Sequence, residues 1–268
     1  LAGAAALALL AAMILVPSLR AAAGQFLDVF RVSKITVVSF DPERVYGLGE
    51  RLFREVAIDE PEPQAVADAE EAARLAGHPI LVPAWVPEGF ELERLSVIPQ
   101  RSARAWVDLQ AAKALLEAAG LPTDALPSDP DDCTVAASIP PMVDFDYRKD
   151  AMGFHFLQVA SPEASVPEGL DLPRLGELGL RLLGLPAEEA RRLSQNIDWA
   201  STLVIPVPGD VASAREVIVV EGTTGYLLEG MDDGQEQAAV IWEKDGMLYA
   251  VTGNLSGQRL LAVAQWVR

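Results

Sequence analysis

From Leu1 to Leu19 the chain carries no charged residue, and its centre, from Ala4 to Val16, is apolar on every helical face. That length approaches the roughly 20 residues needed to cross a bilayer, so it predicts a transmembrane helix. A soluble helix of this kind would have to be surrounded by protein on all sides. The competing explanation is a signal peptide cleaved near Ala21-Ala22-Ala23, but no basic stretch precedes the apolar run. Phe26, Leu27 and Phe30 then recur at helical spacing, which extends the helix as an amphipathic stalk to about residue 32.

Beyond the stalk the pattern alternates between periods. Lys34–Phe40 is rich in β-branched residues and predicts a strand. Asp41-Pro42 starts a helix to about Val56, and a second helix covers Gln64–Ala76, ended by Gly77. Phe90–Ile98 alternates as a half-buried strand, and Asp108–Ala119 has helical spacing closed by Gly120. Strands follow at Cys133–Ile139, Met142–Arg148 and Gly153–Ala160, with Asp150 at a turn. Helices are expected at Leu175–Leu185 and Ala187–Asn196. The last third predicts strands Thr202–Val207, Glu216–Glu221, Gly225–Glu229, Ala238–Glu243 and Met247–Thr252. Hairpin turns fall at Glu221–Gly225 and Lys244-Asp245-Gly246, and a final helix is capped by Ser256. Consecutive strands joined by short turns make the class α+β, an antiparallel sheet covered by helices and preceded by the transmembrane helix. The domain plan is then 1–32 for span and stalk, 33–78 for a lead-in, and 79–268 for the main domain, with 122–196 an insertion.

Charge narrows the partners. The 268 residues hold 39 acidic and 21 basic side chains, a formal charge of -18. Such a surface repels phosphate backbones, so nucleic acid is excluded as an expected partner. Arg20, Arg31 and Lys34 follow the apolar stretch, but the charge rule for orientation compares both flanks and only one is present. Half of the residues are apolar and only 6% aromatic, which favours an aliphatic core.

The search for chemistry is mostly negative. Cys133 is the single cysteine, so no internal disulfide forms. His78 and His155 are the two histidines, and His155 alternates with Phe154 and Phe156, which suits a structural role. Gly47-Leu48-Gly49 lacks the third glycine of a phosphate loop. Asp129, Asp131 and Asp132, the pair Asp144 and Asp146 on one strand face, and Asp232-Asp233-Gly234 could each offer oxygen to calcium, yet none has EF-hand spacing. Asn254-Leu255-Ser256 is a formal glycosylation sequon. No catalytic residue, cofactor or metal site is therefore expected. Trp85, Phe90, Trp106, Trp199 and Trp242 could line an apolar groove for a hydrophobic ligand or protein partner, although core packing is the commoner role of such residues.

Two runs carry a resemblance. Ala239-Val-Ile-Trp242-Glu-Lys-Asp-Gly246-Met-Leu-Tyr249-Ala-Val-Thr-Gly253-Asn-Leu-Ser256 and Pro83-Ala-Trp-Val-Pro87-Glu-Gly-Phe90 resemble an uncharacterised domain family of bacterial single-span envelope proteins. Members often form the extracytoplasmic half of proteins regarded as anti-sigma factors, and they are similar to lipoprotein carriers and periplasmic stress sensors. The resemblance covers residues 79–110 and 200–268 and brings no functional residues. It implies a single-pass cell-membrane protein whose main domain is an extracytoplasmic sensory or interaction module, not an enzyme. A periplasmic-type carrier of lipid or lipoprotein is the alternative, and an unrecognised hydrolase is a third.

Overall fold

The computed structural model describes residues 30–31, 33–40, 52–127, 134–165, 171–199, 201–208, 212–232 and 235–268. The apolar stretch from Leu1, the Gly47 loop, Cys133, Asp129, Asp131, Asp132 and Asp233 lie outside the described residues. Among the described residues no helix is long and apolar enough to cross a membrane. The class is α+β with a large antiparallel sheet, as the pattern predicts. The chain divides into two compact units that interleave in sequence. Unit one takes residues 1–59, 102–138 and 163–210, and unit two takes 60–101, 139–162 and 211–268.

Unit two is built on an eight-stranded sheet. Its strands are β4 (Gln64–Ala65), β5 (Glu91–Ile98), β8 (Met142–Lys149), β9 (Met152–Ala160), β12 (Ala212–Ile218), β13 (Thr224–Asp232), β14 (Gln235–Lys244) and β15 (Met247–Gly253). They pair antiparallel in the order β12-β13-β14-β15-β9-β8-β5-β4. Turn chemistry makes the hairpins. Asp245 and Gly246 both have positive φ, 55° and 77°, the geometry of a tight primed turn between β14 and β15. Asp150, at φ 52°, opens the two-residue turn that pairs Lys149 with Met152.

One face of this sheet is covered by α1 (Ala69–Ala76) over β5 and β8, and by α5 (Gly257–Gln265) over β13, β14 and β15. The helix expected from Gln64 starts five residues later. Asp68 accepts from the Glu71 amide, Glu71 accepts from the Ala67 amide, and Gln64 and Ala65 instead bond to β5. Beneath the helices lies a ladder of rings. Tyr147 stacks on Phe154 at 4.8 Å, Phe154 meets Phe90, and Phe156 meets Phe145, Trp242 and Tyr249. Trp242 and Tyr249 lie 5.2 Å apart at 14°. Each such pair adds about 0.5–1.5 kcal/mol beyond its area burial. The core is largely aliphatic, as composition suggests, and the few aromatics are concentrated in this one place. The strap from Pro79 to Phe90 is tied to this core by Gln158, wholly buried, which donates to the Leu81 carbonyl and accepts from its amide.

Unit one contains β1 (Phe30–Arg31), β2 (Lys34–Phe40), β3 (Phe53–Ile58), β6 (Arg101–Val107), β7 (Thr134–Ile139), β10 (Glu163–Ser165) and β11 (Thr202–Pro208). One sheet runs β1-β10-β7-β6-β3, and β2 pairs parallel with β11. Three expectations fail here. The stalk expected to stay helical to about residue 32 ends in a strand, since Phe30 and Arg31 pair with β10, while Phe26 and Leu27 lie outside the described residues. The helix predicted as far as Val56 gives way to β3, because Phe53–Ile58 finds β6 as a partner and pairing outweighs local propensity. The parallel pairing of Lys34 with Thr202 joins segments too distant for any local signal. The helices are α2 (Leu109–Ala118), capped by Asp108, α3 (Leu172–Leu182), capped by Asp171 with Pro173 in its first turn, and α4 (Ala187–Asn196). Its buried clusters are largely aliphatic, around Leu180, Leu183 and Val204 and around Leu116, Leu121 and Leu178.

Trp199 is the exception, and it locks α3 to α4. Its indole nitrogen donates to the Ser194 carbonyl at 2.9 Å, and its ring covers Gly176 of α3. A Cβ at Gly176 would lie 2.1 Å from that ring, so the glycine is required by the close approach. Gly176→Ala is expected to lower stability by about 1–3 kcal/mol through overpacking, measured by urea denaturation; an unchanged midpoint contradicts the lock.

Candidate functional site

The face of β5, β8 and β9 opposite the ring ladder carries a cluster of linked charges. Alternation decides this. Phe145, Tyr147, Phe154 and Phe156 point to the core, so Asp144, Asp146 and His155 point the other way. The β8–β9 turn sets Asp146 directly opposite His155, and β5 sets Arg94 opposite Asp146.

Asp146 is the pivot. Its side chain is 3% exposed, and it accepts from Arg148 twice, from Nε at 2.6 Å and from Nη2 at 3.3 Å. Arg94 Nη2 stands 3.6 Å from Oδ2, the oxygen that also accepts from Arg148 Nη2. Both guanidiniums keep their outer faces in water, at 64% and 45% exposed, while their charges offset the burial of one carboxylate. His155 donates from Nδ1 to both oxygens of Asp144, at 2.9 and 3.2 Å. Its Nε2 lies 3.8 Å from Asp146 Oδ1 and 3.5 Å from Arg148 Nη2. The Asp144 hydrogen bond raises the imidazole above its ordinary value of 6.5, partial burial opposes this, and the negative charges of Asp144 and Asp146 reinforce it. Asp146 likewise holds the Arg148 guanidinium protonated more firmly, chiefly through its hydrogen bond.

These contacts limit the chemistry. An aspartate that orients a histidine is half of a nucleophilic triad, but here Nε2 faces a guanidinium and a carboxylate instead of a hydroxyl or thiol. The carboxylates of Asp144 and Asp146 already accept from His155 and Arg148, which occupy the oxygens a calcium ion would need. Among the described residues no group of three His, Cys, Asp or Glu is placed to hold a metal.

The remaining candidates scatter. His78 follows the Gly77 cap and holds the Pro79 carbonyl. Asn254 braces the β8–β9 hairpin, accepting from the Gly153 amide and donating to the Ala151 carbonyl, so the sequon amide already has a structural task. Phe90, Trp199 and Trp242 are buried, Trp106 is half-buried in β6, and Asp232 ends β13. Trp85 alone of the singled-out rings stands out, 42% exposed, near Trp266 at 56%. The two belong to bonded segments: Ala84 donates to the Trp266 carbonyl, and Val82 exchanges both backbone bonds with Arg268. In unit one a shallow cleft of about 320 Å³ opens between α2 and the loop 121–127, with Lys113 and Asp124 on its wall.

No family model, curated protein or solved structure matches the chain. Function therefore has to be argued from these surfaces.

A pH dependence follows from His155. Its folded value is raised, so its contribution to stability is complete below the unfolded value near 6.5 and is lost as pH rises through the higher folded value. The melting temperature is expected to fall across that window above 6.5, and Asp144→Asn is expected to flatten the fall. A melting temperature equally steep in the variant over that range contradicts the assignment.

Proposed function

We propose that the chain is the sensory or interaction domain of a membrane-anchored regulator, working outside the cytoplasm in the manner of an anti-sigma factor. The observation that carries the interaction reading is the pair Trp85 and Trp266, held half out of the surface on hydrogen-bonded segments of the strap and the chain's last residues. Tryptophan is enriched where proteins bind one another, because a large rigid ring contributes area at low entropic cost. Val82, also exposed, adds apolar surface to the strap.

Tethering is supported by the uncharged run Leu1–Leu19, which has the length and composition of a span. The carrier alternative has less support. A lipid groove under the helices of unit two would need the space that Phe154, Phe156 and Trp242 fill completely. An enzyme has less still, since the one oriented histidine turns its Nε2 to a guanidinium and a carboxylate.

The tether and its side are tested by a carboxyl-terminal fusion to a phosphatase that is active only outside the cytoplasm. The expected result is an active reporter that stays in the membrane fraction until detergent is added. An inactive phosphatase, with a fluorescent cytoplasmic fusion bright at the same terminus, would overturn the orientation; release without detergent would overturn the tether.

A further inference from the structure

Arg148 occupies a branch point on the charged face of unit two. Its directly opposed partner on β9 is Gly153, and a Cβ there would lie 2.8 Å from Arg148 Cδ and Nη1. The missing side chain is what lets the arginine lie across β9 toward His155. From there the guanidinium has three neighbours. Asp146 takes Nε and Nη2, His155 Nε2 is 3.5 Å from Nη2, and Glu93 Oε2 is 3.7 Å from Nε. On the far side of His155, β15 presents the uncharged Thr252, so within this unit the described charges around the imidazole are Asp144, Asp146 and Arg148, with Arg94 and Glu93 behind them.

We infer that Arg148 and His155 form a proton-operated latch on this face. With the imidazole neutral, Nδ1–H stays with Asp144 and the Nε2 lone pair accepts from Arg148 Nη2, which closes the latch. One proton taken from solvent onto Nε2 removes that lone pair. Two donors then face each other at 3.5 Å, and the new Nε2–H turns toward Asp146 Oδ1, 3.8 Å away. Asp146 cannot satisfy an imidazolium and two guanidiniums equally. The imidazolium is held in place by Asp144. Of the two guanidiniums it is Arg148 that faces it and has Glu93 in reach, so Arg148 moves toward Glu93 and presents its charge outward. The open and closed forms differ by one bound proton and one arginine position, with no bond made or broken besides hydrogen bonds. The Asp144 hydrogen bond raises His155, so the change falls above 6.5. The latch belongs to the sheet itself and does not depend on the membrane tether.

The test is nuclear magnetic resonance on the full chain in detergent micelles, with labelled arginine and histidine side chains. Arg148 is assigned by Arg148→Lys. The expected result is that the Arg148 Nε–H signal moves with the same midpoint as the His155 ring, above 6.5, and stays still over that range in His155→Gln. A stationary Arg148 signal through the His155 midpoint, or the same movement in His155→Gln, overturns the latch. Should that variant not fold, Asp144→Asn replaces it. That change lowers the His155 midpoint, and the Arg148 transition must move down with it by the same amount; a transition that stays in place overturns the inference.

Discussion

A single carboxylate, that of Asp146, sits almost wholly buried in the middle of β8, and the arrangement of unit two depends on how it is answered. An unpaired charge there would be strongly destabilising, about 3–5 kcal/mol when a buried partner is lost. Arg94 supplies one cation from β5, Arg148 supplies another from the same strand, and His155 stands opposite on β9. These contacts cross three strands. They also fix register, because a slip of one residue would drive Asp144 and Asp146 into the ring ladder and turn Phe145 and Tyr147 outward. The apolar face and the charged face therefore specify the same pairing independently. That agreement is the condition under which one hairpin geometry wins over its neighbours.

The same constraint explains why a glycine sits at 153 and an asparagine at 254. Gly153 leaves the room that Arg148 needs, and Asn254 bonds to both the Gly153 amide and the Ala151 carbonyl, holding the hairpin end. Gly253 is constrained from the other side, since a Cβ there would lie 2.2 Å from the Gly153 carbonyl oxygen. Three neighbouring positions thus serve one arginine and one turn. In unit one the comparable constraint is apolar: Gly176 yields its side-chain volume to Trp199, and Ser194 spans α3 and α4, donating to the Pro173 carbonyl while its own carbonyl receives the indole.

How far this could be foreseen depended on the range of the contacts. Local signals were sufficient for the hairpins at Asp245-Gly246 and Asp150, for α4, and for the start of α5 after Ser256, whose side chain makes no capping bond. The alternation of His155 with Phe154 and Phe156 was visible, yet it suggested only a structural role. The turn at Asp150 already implied that Asp146 faces His155, since a two-residue turn pairs positions equally distant from it. What no local pattern carried was Arg94 joining from β5, the parallel pairing of β2 with β11, the strand β6, or the interleaving of the two units. The helix expected to reach Val56 failed for the same reason, because β6 offers β3 a partner that short-range propensity cannot register. Composition pointed correctly to a largely aliphatic core but not to where its rings gather. A low aromatic content said nothing of its concentration around Phe156 and Trp242.

The most direct measurement of Asp146 as pivot is a double-mutant cycle in urea using Asp146→Ala, Arg148→Ala and both together. The account predicts a coupling of about 1–3 kcal/mol, since the two groups touch and one is buried. Single effects that add to within about 0.5 kcal/mol would contradict it, and would leave the ring ladder alone to set the register of this sheet.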